Sequence, residues 1–284
     1  MSLPLSVDLK GKVALVTGGG GVLGSYFCRS LAEAGAKVAV LNRTKSKADK
    51  VVSEIVQDGG KAIAISGDVL SLDSLKKARK IINKEFGTVD ILVNAAGGNH
   101  PKGGTTKDHF EIKDLDTKEE ITTFFDLEYE GLQFVFNLNF LGTLLPTQVF
   151  AKDMLEKEDP TIINISSMAG FTPMTRVVAY GGAKAAVSNF TNWLAVHFAK
   201  VGIRVNAIAP GFFLTEQNRT LLTNEDGSYT ERANKIISQT PMDRFGDPED
   251  LIGTLLWLAD SKASGFVNGT VIPVDGGFQA YSGV

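Results

Sequence analysis

A chain of 284 residues is long enough to bury a sizeable core, as one large domain or two small ones. It is 43% hydrophobic and 21% charged with 30 glycines, which suits a globular protein rich in tight turns. Its net charge of −3 gives no electrostatic case for nucleic acid or an anionic membrane. A single cysteine excludes an internal disulfide framework and a multi-cysteine metal site, and no apolar run approaches the roughly 18 residues of a membrane span, so a cytoplasmic protein is expected.

Residues 13–16 (Val-Ala-Leu-Val) form a short apolar run bounded by Lys12 and glycines, the pattern of a strand buried on both faces. Helical periodicity follows through Tyr26, Leu31 and Ala34 until Gly35 stops it, with Cys28 reading as a buried thiol. Residues 37–41 predict a second strand, 47–58 a polar helix, 62–65 a third strand, 72–86 another helix and 91–93 a fourth strand. Strand and helix alternating at this short spacing predict right-handed crossovers and a parallel sheet.

The rhythm breaks over 97–131, which holds several glycines near its start, Pro101, and many charged or hydroxyl residues. Helix is expected again over 134–154, kinked by Pro146. Residues 161–165 predict a fifth strand, 183–198 an apolar helix, and 203–208 a sixth strand. A second irregular stretch, 212–238, precedes a helix near 249–258. Residues 271–274 predict a closing edge strand, because Pro273 cannot donate to a ladder. The expected fold is α/β, a doubly wound parallel sheet of the Rossmann type. It is expected to be a single domain over 1–284, with insertions at about 98–131 and 212–238 beyond strand ends, where ligands bind.

Thr17-Gly18-Gly19-Gly20-Gly21-Val22-Leu23-Gly24 joins the first strand to its helix. Glycine lets a backbone reach positive φ or approach a pyrophosphate, and a helix start supplies inward-pointing amides. Gly18, Gly21, Val22, Leu23 and Gly24 are therefore candidate dinucleotide contacts; the alternative is a glycine-rich turn with no ligand. Asp68 and Val69, and Asn94, Ala95 and Gly97, follow the third and fourth strands. Asp68 either accepts from an adenine amine or caps the next turn, and Asn94 either borders the cofactor or ties strand ends together. At the end of the second strand Asn42 is neutral where a ribose-binding carboxylate for NAD is expected. Arg43, with Lys45 beside it, offers charge to a 2'-phosphate. This balance leans slightly to NADP(H) over NAD(H).

Ser166 and Ser167 precede Tyr180-Gly181-Gly182-Ala183-Lys184. Tyr180 and Lys184 are four apart, about one turn along one helix face. An ammonium there favours the phenolate of a tyrosine whose ordinary pKa is about 10, so that it can pass a proton near neutral pH. Singly, Ser167 reads as a turn hydroxyl and Tyr180 as a core aromatic; their joint spacing argues for chemistry. Ser166 reads as a structural neighbour.

Together these residues resemble the short-chain dehydrogenase/reductase family, from about Gly11 to the C-terminus. The resemblance implies a catalytic set of Asn139, Ser167, Tyr180 and Lys184. Asn139 would hold a water in a proton relay through the lysine, while Tyr180 and Lys184 would also touch the cofactor. It implies that Pro210, Gly211 and Phe213 lie beside the nicotinamide, that Thr215 contacts its carboxamide or a phosphate, and that no catalytic metal is needed. It also implies a homotetramer, with apolar helices near 140–150 and 187–198 as contacts. The chain departs from the pattern at Val22, where the family carries glycine; Gly21 is expected to take up the sharp turn instead. The segment 97–139 is also longer than in a minimal member.

A closer likeness, over nearly the whole chain, is to the D-mannonate oxidoreductase (fructuronate reductase) subgroup. It is carried by the 17–24 turn, Gly97-Gly98-Asn99-His100-Pro101, Phe124-Phe125-Asp126-Leu127, residues 189–196, Pro210-Gly211-Phe212-Phe213, and Asp275-Gly276-Gly277-Phe278. This implies a sugar-acid substrate, D-fructuronate, whose carboxylate would need donors and a cation on burial. Arg176 is the candidate cation, and Asn99, His100, Gln217 and Asn218 are candidate readers beside Ser167 and Tyr180. Each has a structural alternative: a surface or subunit-contact charge for Arg176, a loop donor for His100, surface amides for the rest. The alternative function is a short-chain reductase of 5-ketogluconate, a polyol or a ketoacyl compound. A non-catalytic NAD(P)-binding regulator, or a structural subunit with a vestigial site, explains the intact catalytic set less well.

Overall fold

The computed structural model describes residues 6–116, 120–215 and 218–283. In chain order the elements are β1 (Val13–Thr17), α1 (Val22–Glu33), β2 (Lys37–Asn42), α2 (Lys45–Gln57), β3 (Lys61–Ser66), α3 (Leu72–Glu85) and β4 (Ile91–Asn94). Then come α4 (Tyr129–Phe136), a π-helical turn (Asn137–Leu141), α5 (Gly142–Met154), β5 (Thr161–Ile165), α6 (Val178–Phe198) and β6 (Arg204–Pro210). The chain closes with α7 (Arg219–Leu222), α8 (Glu231–Ile237), α9 (Ile252–Ala259), α10 (Ser261–Ser264) and β7 (Val271–Val274).

The strands form one parallel sheet in the order β3-β2-β1-β4-β5-β6-β7. β1, β4, β5 and β6 are buried along their whole length, which explains why they read as continuous apolar runs rather than alternating ones. One face packs on Phe27 and Leu31 of α1, Val51 and Ile55 of α2, and Leu255 and Leu258 of α9. The other packs on Leu75 and Ile82 of α3, Phe150 and Met154 of α5, and Leu194 of α6. Cys28 is fully buried against the first face, and burial pushes its thiol pKa far up, so it behaves as a small hydrophobe. β7 is the edge strand, with Pro273 opposite Ala209.

Three expectations change. The helix before Met154 starts at Tyr129 rather than 134, and α6 starts at Val178 rather than 183, so Tyr180 sits in the first turn of α6. Pro146 lies inside α5 without ending it. The irregularity is instead the π turn, whose closing Gly142 amide reaches back to the Asn137 carbonyl. Pro146 has no N–H for the carbonyl of Gly142, so the ladder is weakest where that turn ends. Finally, Tyr129–Met154 is a 26-residue helical stretch that is apolar enough to cross a membrane by length and composition. Half of its apolar part is buried within the fold, and α5 packs on α3 and β4, so it serves here as a core helix.

β1 lies between β2 and β4, and the chain reverses its direction of travel across the sheet there. Crossovers on opposite sides of such a switch point leave a crevice at the carboxyl ends of the strands.

Candidate active site

That crevice is a cleft of about 730 Å³. At one end lies the glycine turn. Gly18 takes φ 66, and the Gly21 amide donates to the Gly18 carbonyl at 2.8 Å. A Cβ on Gly24 would overlap the Gly18 carbonyl, and one on Gly18 would lie 2.9 Å from the Ala96 backbone. The sharp bend therefore falls at Gly18, not at Gly21, which has φ −82 and caps α1. Val22 opens the helix, and Gly18, Gly21, Val22, Leu23 and Gly24 all line the cleft. The Thr17 hydroxyl accepts from the amides of Ala95 (3.1 Å) and Ala96 (3.2 Å), fixing the β1 and β4 ends together. A backbone cradle with no room for a Cβ at Gly18, Gly19, Gly20 or Gly24, under a helix start with no side-chain cap, fits a dinucleotide pyrophosphate.

Beyond the turn, Asn42, Arg43, Asp68 and Val69 line the same cleft, as do Ala95 and Gly97. The Asp68 carboxylate accepts from the Leu70 amide at 2.9 Å, so it caps its own turn with one oxygen. Lys45 pairs with Asp49 along α2 at 2.5 Å, whereas Lys47 lines the cleft. The β-carbon of Lys47 and its carbonyl carbon lie where a Cβ on Gly20 would come within 2.9 Å. Lys47 was not legible in advance, because an exposed lysine one turn into a polar helix carries no local signal. Asn94 does not line the cleft. Its amide donates to Thr147 (3.0 Å) and Asn164 (2.9 Å), and Asn164 donates to Thr191 (2.9 Å). This buried ladder ties β4 and β5 to α5 and α6, which corrects the cofactor role expected for Asn94.

At the other end, Ser167, Tyr180 and Lys184 converge on the cleft. Ser167 follows β5 and accepts from the Ala169 amide at 3.2 Å. Ser166 bonds the Lys184 carbonyl (3.1 Å) and the Ser188 hydroxyl (2.7 Å), so it fastens α6 to β5 as a structural neighbour. Lys184 is 4% exposed, and its Nζ donates to the Ile165 carbonyl at 2.7 Å and lies 5.6 Å from the Tyr180 ring centroid. Burial lowers its pKa from 10.5 to about 8. Burial also raises the Tyr180 phenol, an effect opposed by a hydrogen bond with Ser167. The expected lowering of the Tyr180 pKa by Lys184 is thus corrected: desolvation is the largest cause for both groups, and Lys184 is not among the causes of the Tyr180 shift.

Asn139 is fully buried in the π turn, behind the cleft. Its amide donates to the carbonyls of Gly98 (2.7 Å) and Val135 (2.8 Å), and its Oδ1 accepts from the Gly98 amide at 3.2 Å. A Cβ on Gly97 would come within 2.7 Å of that oxygen and 3.3 Å of the Lys184 Nζ. Gly97 therefore lets Asn139 and Lys184 approach each other. Pro210, Gly211, Phe213 and Thr215 line the facing wall.

The substrate residues fare differently. Asn218 lines the cleft, but its carbonyl oxygen accepts from Thr215 (amide 2.8 Å, hydroxyl 3.1 Å) and its amide donates to the Phe213 carbonyl at 2.8 Å. It braces Thr215 rather than presenting a free amide. Asn99 and His100 do not line the cleft; His100 Nδ1 accepts from the Lys102 amide and its ring packs 5.2 Å from Phe134. Arg176 does not line it either, and its Nε donates to Asp108 at 2.6 Å. It is not positioned as the carboxylate-binding cation. Gln217 lies outside the described residues. Among the other lining side chains that sequence reasoning missed are Phe134 and Leu138, four apart just before Asn139, and Phe212. That four-residue spacing was the available signal.

The short chain dehydrogenase family pattern matches residues 12–226. A crystal structure of a proposed D-mannonate oxidoreductase from Haemophilus influenzae with bound NAD superposes with a TM-score of 0.94 at 55% identity, covering 100% of both chains. An uncharacterized oxidoreductase of Bacillus subtilis (strain 168) is 55% identical over 285 residues, covering 99% of this chain and 100% of that one. The 5-keto-D-gluconate 5-reductase of Escherichia coli (strain K12) is 32% identical over 270 residues, covering 95% and 96%. The matched span takes in both the glycine turn and the Ser167, Tyr180 and Lys184 end of the cleft, and this chain belongs to the short-chain dehydrogenase family of oxidoreductases.

Proposed function

We propose that this enzyme moves a hydride between a nicotinamide cofactor and the keto group of a sugar acid, reducing D-fructuronate to D-mannonate in the reductive direction. The observation that carries the reading is the convergence of Ser167, Tyr180 and Lys184 on one cleft with the Cβ-excluding glycine turn. When bound, a nicotinamide supplies the hydride. The Ser167 and Tyr180 hydroxyls hold the substrate carbonyl oxygen, and Tyr180 donates a proton to it as charge develops there. Lys184, held by the Ile165 carbonyl, supplies positive charge beneath the tyrosine. Asn139 fixes the Gly98 backbone beside it.

The sugar-acid reading is supported by the 55% identical relative described as a proposed D-mannonate oxidoreductase. A second reading, reduction of 5-keto-D-gluconate, is favoured by the 32% identical reductase of that compound. Arg43 and Lys47 in the cleft favour NADP(H), and the NAD held by the first relative favours NAD(H). The charge at the end of β2 keeps the lean slightly toward NADP(H). A homotetramer is supported by a groove of about 400 Å³ between α5 and α6, lined by Leu155, Phe190, Trp193 and His197 and flanked by Val196, which is 79% exposed. A cytoplasmic setting fits an apolar helix that is half buried in the fold.

The test is a panel of D-fructuronate, 5-keto-D-gluconate and a 3-ketoacyl thioester, each with NADH and NADPH. D-Fructuronate should give the highest kcat/KM. Activity on 5-keto-D-gluconate with none on D-fructuronate would move the assignment to the second reading.

A further inference from the structure

Asp108 belongs to the long segment after β4, yet its carboxylate joins two other parts of the chain. One oxygen accepts from Arg176 Nε at 2.6 Å, and the other pairs with the Lys235 ammonium. Arg176 lies between Ser167 and Tyr180, and Lys235 lies on α8. Lys235 first, then Arg176, hold the Asp108 carboxyl well below the usual carboxylate range, with a further contribution from Thr175.

Arg176 is also unusual in its backbone. It takes φ 67, a left-handed conformation that disfavours any side chain and persists only where its surroundings impose it. Those surroundings come from the same segment as Asp108. The Thr105 amide donates to the Arg176 carbonyl at 3.1 Å, and Gly104 lies so close that a Cβ on it would overlap that carbonyl. The next residue, Val177, caps α6 without any side-chain hydrogen bond. Arg176 stands two residues before α6, whose first turn carries Tyr180.

Lys235 ties the clasp to the opposite wall. α8 buries Ala233 and Ile236 in a small cluster with Leu222 and Phe245, and Phe212 packs against that cluster. Phe212 lines the same cleft as Phe134 and Tyr180. We propose that Asp108 is a positioning residue for Tyr180: by binding Arg176 and Lys235 together, it fixes the turn into the catalytic helix against the far wall of the cleft. The side chains of Arg176 and Lys235 are 48% and 68% exposed. Exposed ion pairs add little to global stability, so the effect belongs to local placement.

The inference rests on the cleft being the site of carbonyl reduction, and the experiment separates the two. In the full chain, Asp108→Asn should lower kcat for D-fructuronate with NADPH by roughly three- to tenfold, the range a weak positioning contact supports. The NADPH dissociation constant and Tm should stay near wild type, and Asp108→Glu should recover most of the rate. Arg176→Ala should give a similar loss, and the double variant should be little worse than either single one. Amide exchange over residues 172–180 should quicken in Asp108→Asn, with the β1 and β5 amides unchanged. A kcat within about twofold of wild type, or a loss matched by equal weakening of NADPH binding, overturns the proposal. If wild type proves inactive on D-fructuronate, the substrate assignment fails and the exchange measurement still decides. Unchanged exchange over 172–180 overturns the clasp whatever compound is reduced.

Discussion

Lys184 is 4% exposed, and the described hydrogen bond of its ammonium is to a neutral carbonyl, that of Ile165. Its folded pKa of about 8 lies below the ordinary 10.5. At pH 7 both folded and unfolded chains hold the proton, so the cost of burying the charge is fully present. Between about 8 and 10.5 the unfolded chain holds the proton more tightly, and stability rises with pH across that window. Lys184→Met should therefore be more stable than wild type at pH 7, by at most about 3 kcal/mol, while losing turnover. The gap should close as pH rises above 8; calorimetry from pH 7 to 10 checks it, and a less stable variant at pH 7 would contradict it. The Tyr180–Lys184 pair was legible because the four-residue spacing is local. The direction of the Tyr180 shift was not, because it depends on burial that only packing determines.

At the scale of elements, the strands could be read from composition alone. β1, β4, β5 and β6 are buried throughout, so their apolar runs had no competing interpretation. The starts of α4 and α6 were set five residues late, since glycine and polar residues in their first turns mask the period. The Asn94–Asn164–Thr191 ladder was hidden for another reason: its partners lie 70 and 27 residues apart. The glycine turn is the element whose geometry is least forgiving. Gly24→Ala would drive a Cβ into the Gly18 carbonyl. It should weaken NADPH binding at least roughly tenfold, with a lower Tm, as read by fluorescence titration and thermal melts. Wild-type affinity in that variant would mean the turn does not hold the cofactor.

In the whole molecule, the two long segments predicted beyond strand ends do reach the cleft, the second with Phe213, Thr215 and Asn218 as expected, the first with Gly98 rather than Asn99 or His100. Arg176 and Asp108 are 68 residues apart, and Lys235 and Asp108 are 127 apart. No spacing in a single sequence reveals such a pairing, so Arg176 read as either a substrate-binding cation or a surface or subunit-contact charge, whereas it pairs with Asp108. Exposed surface shows the reverse pattern. Trp193 stacks on His197 at 4.7 Å and remains 56% exposed beside the α5–α6 groove. If a second copy covers that face, Trp193→Glu should shift the assembly to a smaller species in sedimentation, with its circular dichroism unchanged. An unchanged mass would place the contact elsewhere.

The most direct test of the account compares wild type with Tyr180→Phe, which keeps the ring and removes only the proton donor. With D-fructuronate and NADPH, turnover should fall at least roughly 100-fold, the usual contribution of a general acid. The NADPH dissociation constant should stay near wild type, because the glycine turn at the other end of the cleft is untouched. Near-normal turnover in Tyr180→Phe, with this or any carbonyl substrate the enzyme accepts, would contradict the assignment of proton transfer to this site.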